Sequence, residues 1–331
     1  MKNSITDVPG IEVGHAQNMN ALTGVSVLLC RKGAVGGVDQ RGGAPGTKET
    51  DLLNPVNMIE KIHAIALCGG SAFGLDAASG VMKFLEERKI GYNVGVTVVP
   101  IVPAAVIFDL STGDPMVRPD AAMGYEAAMN ASVDENRMGN IGVGTGASIG
   151  KLFGNQGAMK GGVGTASMDI GGGIIVGALV AVNAFGDVID PSSGNILAGT
   201  RSVDVGPVHL GSDGFYADTL ATLKTFPGRF IANLATRSNT VIGVVATNAK
   251  FDKAGITKIA QMAHDGLARA IRPAHTMLDG DTIFAVSTGS KSADISTVGA
   301  YAAEVFQAAC VNAVMNAESA GGLPGLKKPA N

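Results

Sequence analysis

Asp279 and Asp281 stand two residues apart at the mouth of a β-branched, apolar run, Asp281–Thr288, that reads as a strand. A two-residue period sends both carboxylates to one face, where paired acids can orient a nucleophile or move its proton. An earlier strand-like run, Thr240–Thr247, opens on a hydroxyl residue directly after Asn239. A helix-like segment separates the two runs, and a β-α-β unit makes its strands parallel neighbours. Their N-terminal ends then lie together, which brings both carboxylates to Thr240. The same spacing admits a second reading, with Asp279 in a turn and Asp281 accepting from local backbone N–H groups.

An internal threonine hydroxyl is a poor nucleophile unless a base takes its proton, and no histidine is close in sequence to do so. Cutting the Asn239–Thr240 bond would turn Thr240 into an N-terminus. Its own α-amine, with an ordinary pKa of about 7.7–8.0, would then serve as the base near neutral pH. The segment from Asp187 to Asn239 is irregular and rich in Gly, Ser, Asp and Pro. A loop of that length is uncommon inside a compact domain. A segment that must bend and then let go would need such looseness.

Other patterns fall short of a site. His275 could complete H-x3-D-x-D as a metal set, but only five histidines occur and none is spaced to join it. A P-loop is approached at Gly150-Lys151, yet Thr145 and Leu152 stand where Gly and Ser or Thr are required. Gly142, Gly144 and Ala147 fit G-x-G-x-x-A without the long strand before it. Ser71 is followed two residues later by Phe73, which rules out a nucleophile elbow. No cofactor and no metal are therefore expected.

Composition narrows the class. The 331 residues are 46% hydrophobic, which excludes a mainly disordered chain, and 47 are glycine. Aromatic residues make up 5%, and the net charge of −3 comes with no basic block, so nucleic-acid binding has no footprint. The start, "MKNSITDVPGIEVGHA", lacks the apolar core of a signal peptide. The runs Val94–Phe108 and Ile170–Val182 are too interrupted to cross a membrane. A soluble, cytoplasmic protein is expected. Cys30, Cys68 and Cys310 are widely spaced in apolar surroundings and read as core residues.

The order of elements indicates an α/β fold. Strands are expected at Gly24–Cys30, His63–Gly69 and Val94–Val99, with a helix over about 71–88. The glycine-dense region 140–167 reads as loops, and Ile174–Val188 as a buried strand pair or hairpin. The last part reads β-α-β-α, with helices over about 253–271 and 295–317. The tail "GGLPGLKKPAN" reads as a loose end, and no fixed-period repeat is present.

Several long motifs, in order across nearly the whole chain, resemble the DmpA-type aminopeptidase family. They include "ITDVPGIEVGHA", "GAPGTKETDLL", "LCGGSAFGLDAASGV", "VGTGASIGKLFG", "AMKGGVGTAS", "ALVAVNAFGDV", "NTVIGVVATNA" and "DGDTIFAVSTG". That family includes β-peptidyl aminopeptidases and nylon-oligomer (6-aminohexanoate-oligomer) endohydrolases, and the motifs stand nearest the latter. The resemblance implies a single αββα-sandwich domain over 1–331 of the self-processing N-terminal-nucleophile type. It implies cleavage between Asn239 and Thr240 into fragments 1–239 and 240–331, and a homo-oligomer, commonly a tetramer of processed protomers.

The implied activity is hydrolysis of amide bonds in short peptides, amino-acid amides or nylon-type oligomers, through an acyl-enzyme on Thr240. Asp279 and Asp281 match the endohydrolase pattern, whereas the aminopeptidase branch carries Ser and Glu there. Asn183 would supply an amide N–H to the oxyanion. Lys160 would lie near the nucleophile, where a cation keeps the α-amine neutral, and Tyr125 would line the substrate pocket. Two other classes remain: acyl transfer, as in the similar ornithine acetyltransferases, and an uncleaved oligomeric binding protein.

Overall fold

The computed structural model of the chain describes residues 1–225, 228 and 239–328. Nine strands form one mixed sheet: β1 (Glu12–Asn18), β2 (Thr23–Gln40), β3 (Thr47–Lys48), β4 (Lys61–Cys68), β5 (Ala104–Val106), β6 (Gly162–Asp169), β7 (Ile175–Asn183), β8 (Thr240–Ala249) and β9 (Thr282–Lys291). Their order is β6-β7-β8-β9-β2-β4-β5-β3, with β1 paired to β2. The pairs β8–β9 and β4–β5 are parallel and the others antiparallel.

The sheet becomes two layers because β2 bends. This strand is 18 residues long, about 60 Å at the usual rise, and serves both halves. Its pairing with β4 shifts register between Leu29 and Ala34, and Gly33 there takes φ +74°. An extra residue in one strand kinks it, and glycine adopts that backbone without Cβ strain. Before the kink β2 pairs with β1 and β4; after it, β2 keeps β4 only at Ala34 and Val35 and pairs with β9 from Val35 to Gln40.

The period of two then sorts the side chains. Leu28, Ile65, Leu67, Leu179, Ile242, Val244, Phe284 and Val286 meet between the half-sheets. Val241, Val245, Ile283 and Ala285 point outward to helices α3 (Lys253–Ala270) and α4 (Ile295–Met315). Val25, Val27, Ala64 and Ala66 point the other way, to α1 (Ala77–Glu86) and α2 (Ala121–Met129). Three apolar interfaces in succession make the αββα sandwich that the resemblance implied. Each fully buried aliphatic or Phe side chain adds about 1.5–3 kcal/mol.

Helices α3 and α4 are set at their starts by Asp252 and Asp294, whose carboxylates accept from Gly255 N and Thr297 N at 2.7 Å each. Such caps are worth about 1 kcal/mol each. Among the described residues α4 alone is long and apolar enough to cross a bilayer. Here it is a core helix: Val298, Ala302, Val305, Phe306 and Ala309 are buried against the sheet and α3.

Four expectations need correction. The glycine-dense region contains β6 as well as loops. Gly164 lies in that strand, where a Cβ would come within 2.0 Å of the Ala309 carbonyl oxygen, so glycine permits α4 to lie on the sheet. Val94–Val99 is no single strand but a minimal hairpin pairing Tyr92–Asn93 with Val98–Val99, since Gly95 at φ +88° turns the chain. The segment after Asp187 is less loose than its composition suggests. The buried Asp187 carboxylate accepts from Thr200 N at 2.8 Å and Thr219 N at 2.7 Å, fastening two points of it to the core. Its end, residues 229–238, lies outside the described residues. The C-terminal tail folds back as far as Lys327, whose N–H donates to Ala317 O at 2.9 Å, while Lys160 N donates to Pro324 O at 2.9 Å. Residues 329–331 of that tail are also outside the described range.

Candidate active site

The register of three strands assembles the site. Thr240, the first residue of β8, stands opposite Asn183, the last of β7. On the other side Asn239 bridges Asp279 in parallel, and Ile242 pairs with Thr282 at the start of β9. Thr240 is only 5% exposed. Its hydroxyl donates to the carbonyl oxygen of Asn239, and that oxygen also accepts the Gly280 N–H at 3.0 Å. A Cβ on Gly280 would fall 2.9 Å from the Thr240 Oγ1 and 2.5 Å from the Ala44 carbonyl oxygen. Only glycine lets this loop approach so closely.

The two carboxylates divide their work. Asp281 Oδ1 accepts from the Val241 N–H at 2.8 Å, fixing the residue after Thr240. Its Oδ2 accepts from the backbone N–H of His275 at 3.0 Å and pairs with His275 Nδ1 at 2.8 Å. Asp279 Oδ1 accepts from Phe185 N at 3.3 Å, and its Oδ2 from Thr276 N at 3.2 Å and Thr276 Oγ1 at 2.5 Å. The structure places the pair beside Thr240 and also gives it local N–H donors. Burial, and then the charge of Asp281, push the Asp279 carboxyl up to about 6.

Asn183 is fully buried. Its side-chain oxygen accepts from Ser148 N at 3.0 Å and Lys151 Nζ at 2.8 Å, and its Nδ2 donates to Phe108 O at 3.1 Å. These partners fix which end of the amide is which. Lys151 also donates to the backbone carbonyl of Asn183 at 3.3 Å. Burial pushes its amine down to about 7, against the pull of Asp279 and Asp109. A lysine poised there can be a cation or a base near neutral pH.

Lys160 is placed differently from the expectation. It is buried too, but its Nζ donates to the carbonyl oxygens of Ala147 at 2.6 Å, Thr145 at 3.0 Å and Gly144 at 3.3 Å. An ammonium has three protons, and this one gives all three to a backbone turn. The lysine joined to Asn183 is Lys151, nine residues earlier. The sequence carried a signal for it, a lysine flanked by Gly150, Leu152 and Phe153 in apolar surroundings, which the P-loop test passed over.

Tyr125 is not brought to the others. It belongs to the outer helical layer, edge-on to Phe84, with its hydroxyl on Glu87 Oε2 at 2.7 Å. The cleft it lines, about 570 Å³ with Ser79, Lys83 and Glu87, opens between α1 and α2. Another, of about 400 Å³, runs along Leu210–Thr225. Neither includes Thr240, where the Asn239 peptide occupies the space next to the hydroxyl. No cluster of three His, Cys, Asp or Glu that could hold a metal occurs among the described residues. The three cysteines are free and buried.

Comparison with known proteins adds to this geometry. Residues 3–327 match Peptidase family S58. An uncharacterized aminopeptidase of Mycobacterium tuberculosis is 44% identical, over 97% of this chain and 96% of its own. The 6-aminohexanoate-oligomer endohydrolase of Kocuria sp. is 32% identical, over 93% and 84%. The Mycobacterium aminopeptidase is thus more similar overall than the Kocuria endohydrolase. Among solved structures, the L-aminopeptidase D-Ala-esterase/amidase of Ochrobactrum anthropi, a variant of the Ntn-hydrolase fold, superposes with a TM-score of 0.72 over 98% of this chain and 88% of that one, at 21% identity. A Burkholderia sp. β-aminopeptidase gives 0.68 over 99% and 91%, at 23% identity.

Proposed function

We propose, because the chain belongs to Peptidase family S58 and is a peptide-bond hydrolase, that Thr240 is its nucleophile and is released as an N-terminus by self-cleavage. One observation carries this reading: the hydroxyl of Thr240 and the N–H of Gly280 converge on the carbonyl oxygen of Asn239. Attack of Oγ1 on the Asn239 carbonyl carbon would place negative charge on that oxygen, where the Gly280 N–H already points. Collapse of the adduct breaks the C–N bond and leaves an ester on Oγ1 with a free amine on Thr240. Water then hydrolyses the ester, leaving Asn239 with a carboxylate and Thr240 with its hydroxyl.

In the cut protein the same hydroxyl attacks a substrate amide, and the α-amine of Thr240 takes its proton and passes it to the leaving amine. The anchored amide of Asn183 serves the oxyanion from the adjoining strand. The charge of Lys151 favours the neutral, basic amine. Asp281 holds Val241, and Asp279 holds the loop 276–280 that carries Gly280. The substrates we propose are short peptides, amino-acid amides and nylon-type oligomers, as the names of the relatives suggest. Intact-mass measurement of the denatured protein beside a Thr240→Ala variant tests the reading. Fragments 1–239 and 240–331 in the wild type alone support it; an uncut wild-type chain that still hydrolyses amides ends it.

A further inference from the structure

We propose that His275 is a positioning residue for the nucleophile, clamping Asp281 so that its other oxygen holds the Val241 N–H; this rests on Thr240 being the nucleophile. The connection is short and continuous. Asp281 Oδ2 receives two bonds from one residue, the backbone N–H of His275 at 3.0 Å and its Nδ1 at 2.8 Å. Asp281 Oδ1 receives the Val241 N–H at 2.8 Å. The carboxylate cannot turn without breaking a bond to β8, and Asp281 is only 1% exposed, so water cannot replace that bond.

The backbone of His275 makes the double contact possible. It takes φ +58°, a left-handed conformation uncommon for a residue with a full side chain. That turn brings its own N–H and its imidazole to the same oxygen. A carboxylate is an acceptor, so Nδ1 carries the proton. Nε2 is buried with no hydrogen-bond partner among the described residues.

A second imidazole covers that side. His264 of α3 stands edge-on to His275 with ring centroids 4.8 Å apart, its Nε2 on the carbonyl oxygen of Asp39 at 3.1 Å. That bond puts the proton of His264 on Nε2 and leaves its Nδ1 as a buried lone pair with no partner among the described residues. Burial holds His264 neutral, its pKa pushed down to about 4. His264 thus shields His275 without competing for Asp281. Leaving two buried ring nitrogens unsatisfied opposes stability, so the arrangement calls for a role beyond packing.

Time courses of self-cleavage during cell-free synthesis test this, comparing wild type, His275→Gly, His275→Asn and Thr240→Ala. Glycine keeps the left-handed backbone and the backbone bond to Asp281 but removes the ring. Asparagine tolerates the same backbone and restores an N–H near the position of Nδ1. Cleavage should slow on the order of 10²-fold in His275→Gly, as a small misplacement of a reacting group does, and largely recover in His275→Asn. Wild-type speed in His275→Gly overturns the proposal. So does His275→Asn cleaving as slowly as His275→Gly, because the ring would then matter only as bulk. Cleavage in Thr240→Ala, or none in wild type, removes the nucleophile reading and this proposal together; the two overturning patterns above leave that reading intact.

Discussion

The backbone nitrogen of Gly280 lies 3.0 Å from the carbonyl oxygen of Asn239, so the peptide bond ahead of Thr240 carries an N–H donor on the atom where charge would collect. A methyl group on Gly280 would meet the Ala44 carbonyl oxygen at 2.5 Å and Thr240 Oγ1 at 2.9 Å. The loop must then retreat and take its N–H with it. Gly280→Ala should slow self-cleavage about 10²–10³-fold, the usual loss for one oxyanion donor, read from the ratio of intact to cut chain over time.

Asn183 should separate the two reactions. In the proposed self-cleavage the carbonyl oxygen of Asn239 would be served by Gly280; for an added substrate the proposed donor is the Asn183 amide, on the strand beside Thr240. Asn183→Ala should therefore lower turnover of an amide substrate about 10²–10³-fold while leaving self-cleavage less affected. Equal losses in both assays would show that one donor serves both.

The two buried lysines should part company. Lys151→Met removes one of the donors on the Asn183 side-chain oxygen and should reduce turnover more than stability. Lys160→Met removes the donor shared by the carbonyls of Gly144, Thr145 and Ala147; Gly144 and Ala147 keep backbone N–H partners, so the cost is about 1–3 kcal/mol for the Thr145 carbonyl. Its melting temperature should fall clearly below that of Lys151→Met in parallel thermal scans.

Asp279 should show its cost in stability. Its folded-state pKa, about 6, lies above the ordinary value of 3.8, so the folded protein holds the proton that the unfolded chain releases between these values. Its contribution to stability therefore falls as pH rises from about 4 to about 6. Asp279→Asn removes that penalty and should raise stability at pH 7 by about 1–3 kcal/mol, with little change at pH 4. Paired denaturant titrations at the two pH values check both the sign and the window. Activity should fall even as stability rises.

What the sequence made legible follows from periodicity. The strands of β8 and β9 with α3 between them show their period and their parallel order directly, and that order alone carries Asp279 and Asp281 to Thr240. The distinction between Lys151 and Lys160 was hidden. Both are buried lysines among glycines, and only the turn at Gly144–Ala147 decides which one is absorbed by backbone carbonyls. Tyr125 differs for another reason: its helix packs on α1 in the outer layer, away from Thr240. His275 was weighed only as a metal ligand, since its left-handed backbone leaves no mark in composition or spacing.

The interleaving of strands has a consequence for refolding. In the proposed fragment 240–331, β8 and β9 would lie between β7 and β2 of the longer fragment, so that half-sheet would be built from both pieces. Before the cut, reaching the native state is a first-order reaction of one chain. After the proposed cut, recovery from denaturant would become second-order and depend on protein concentration. The processed enzyme would persist because unfolding is slow, not because dilute fragments find their way back.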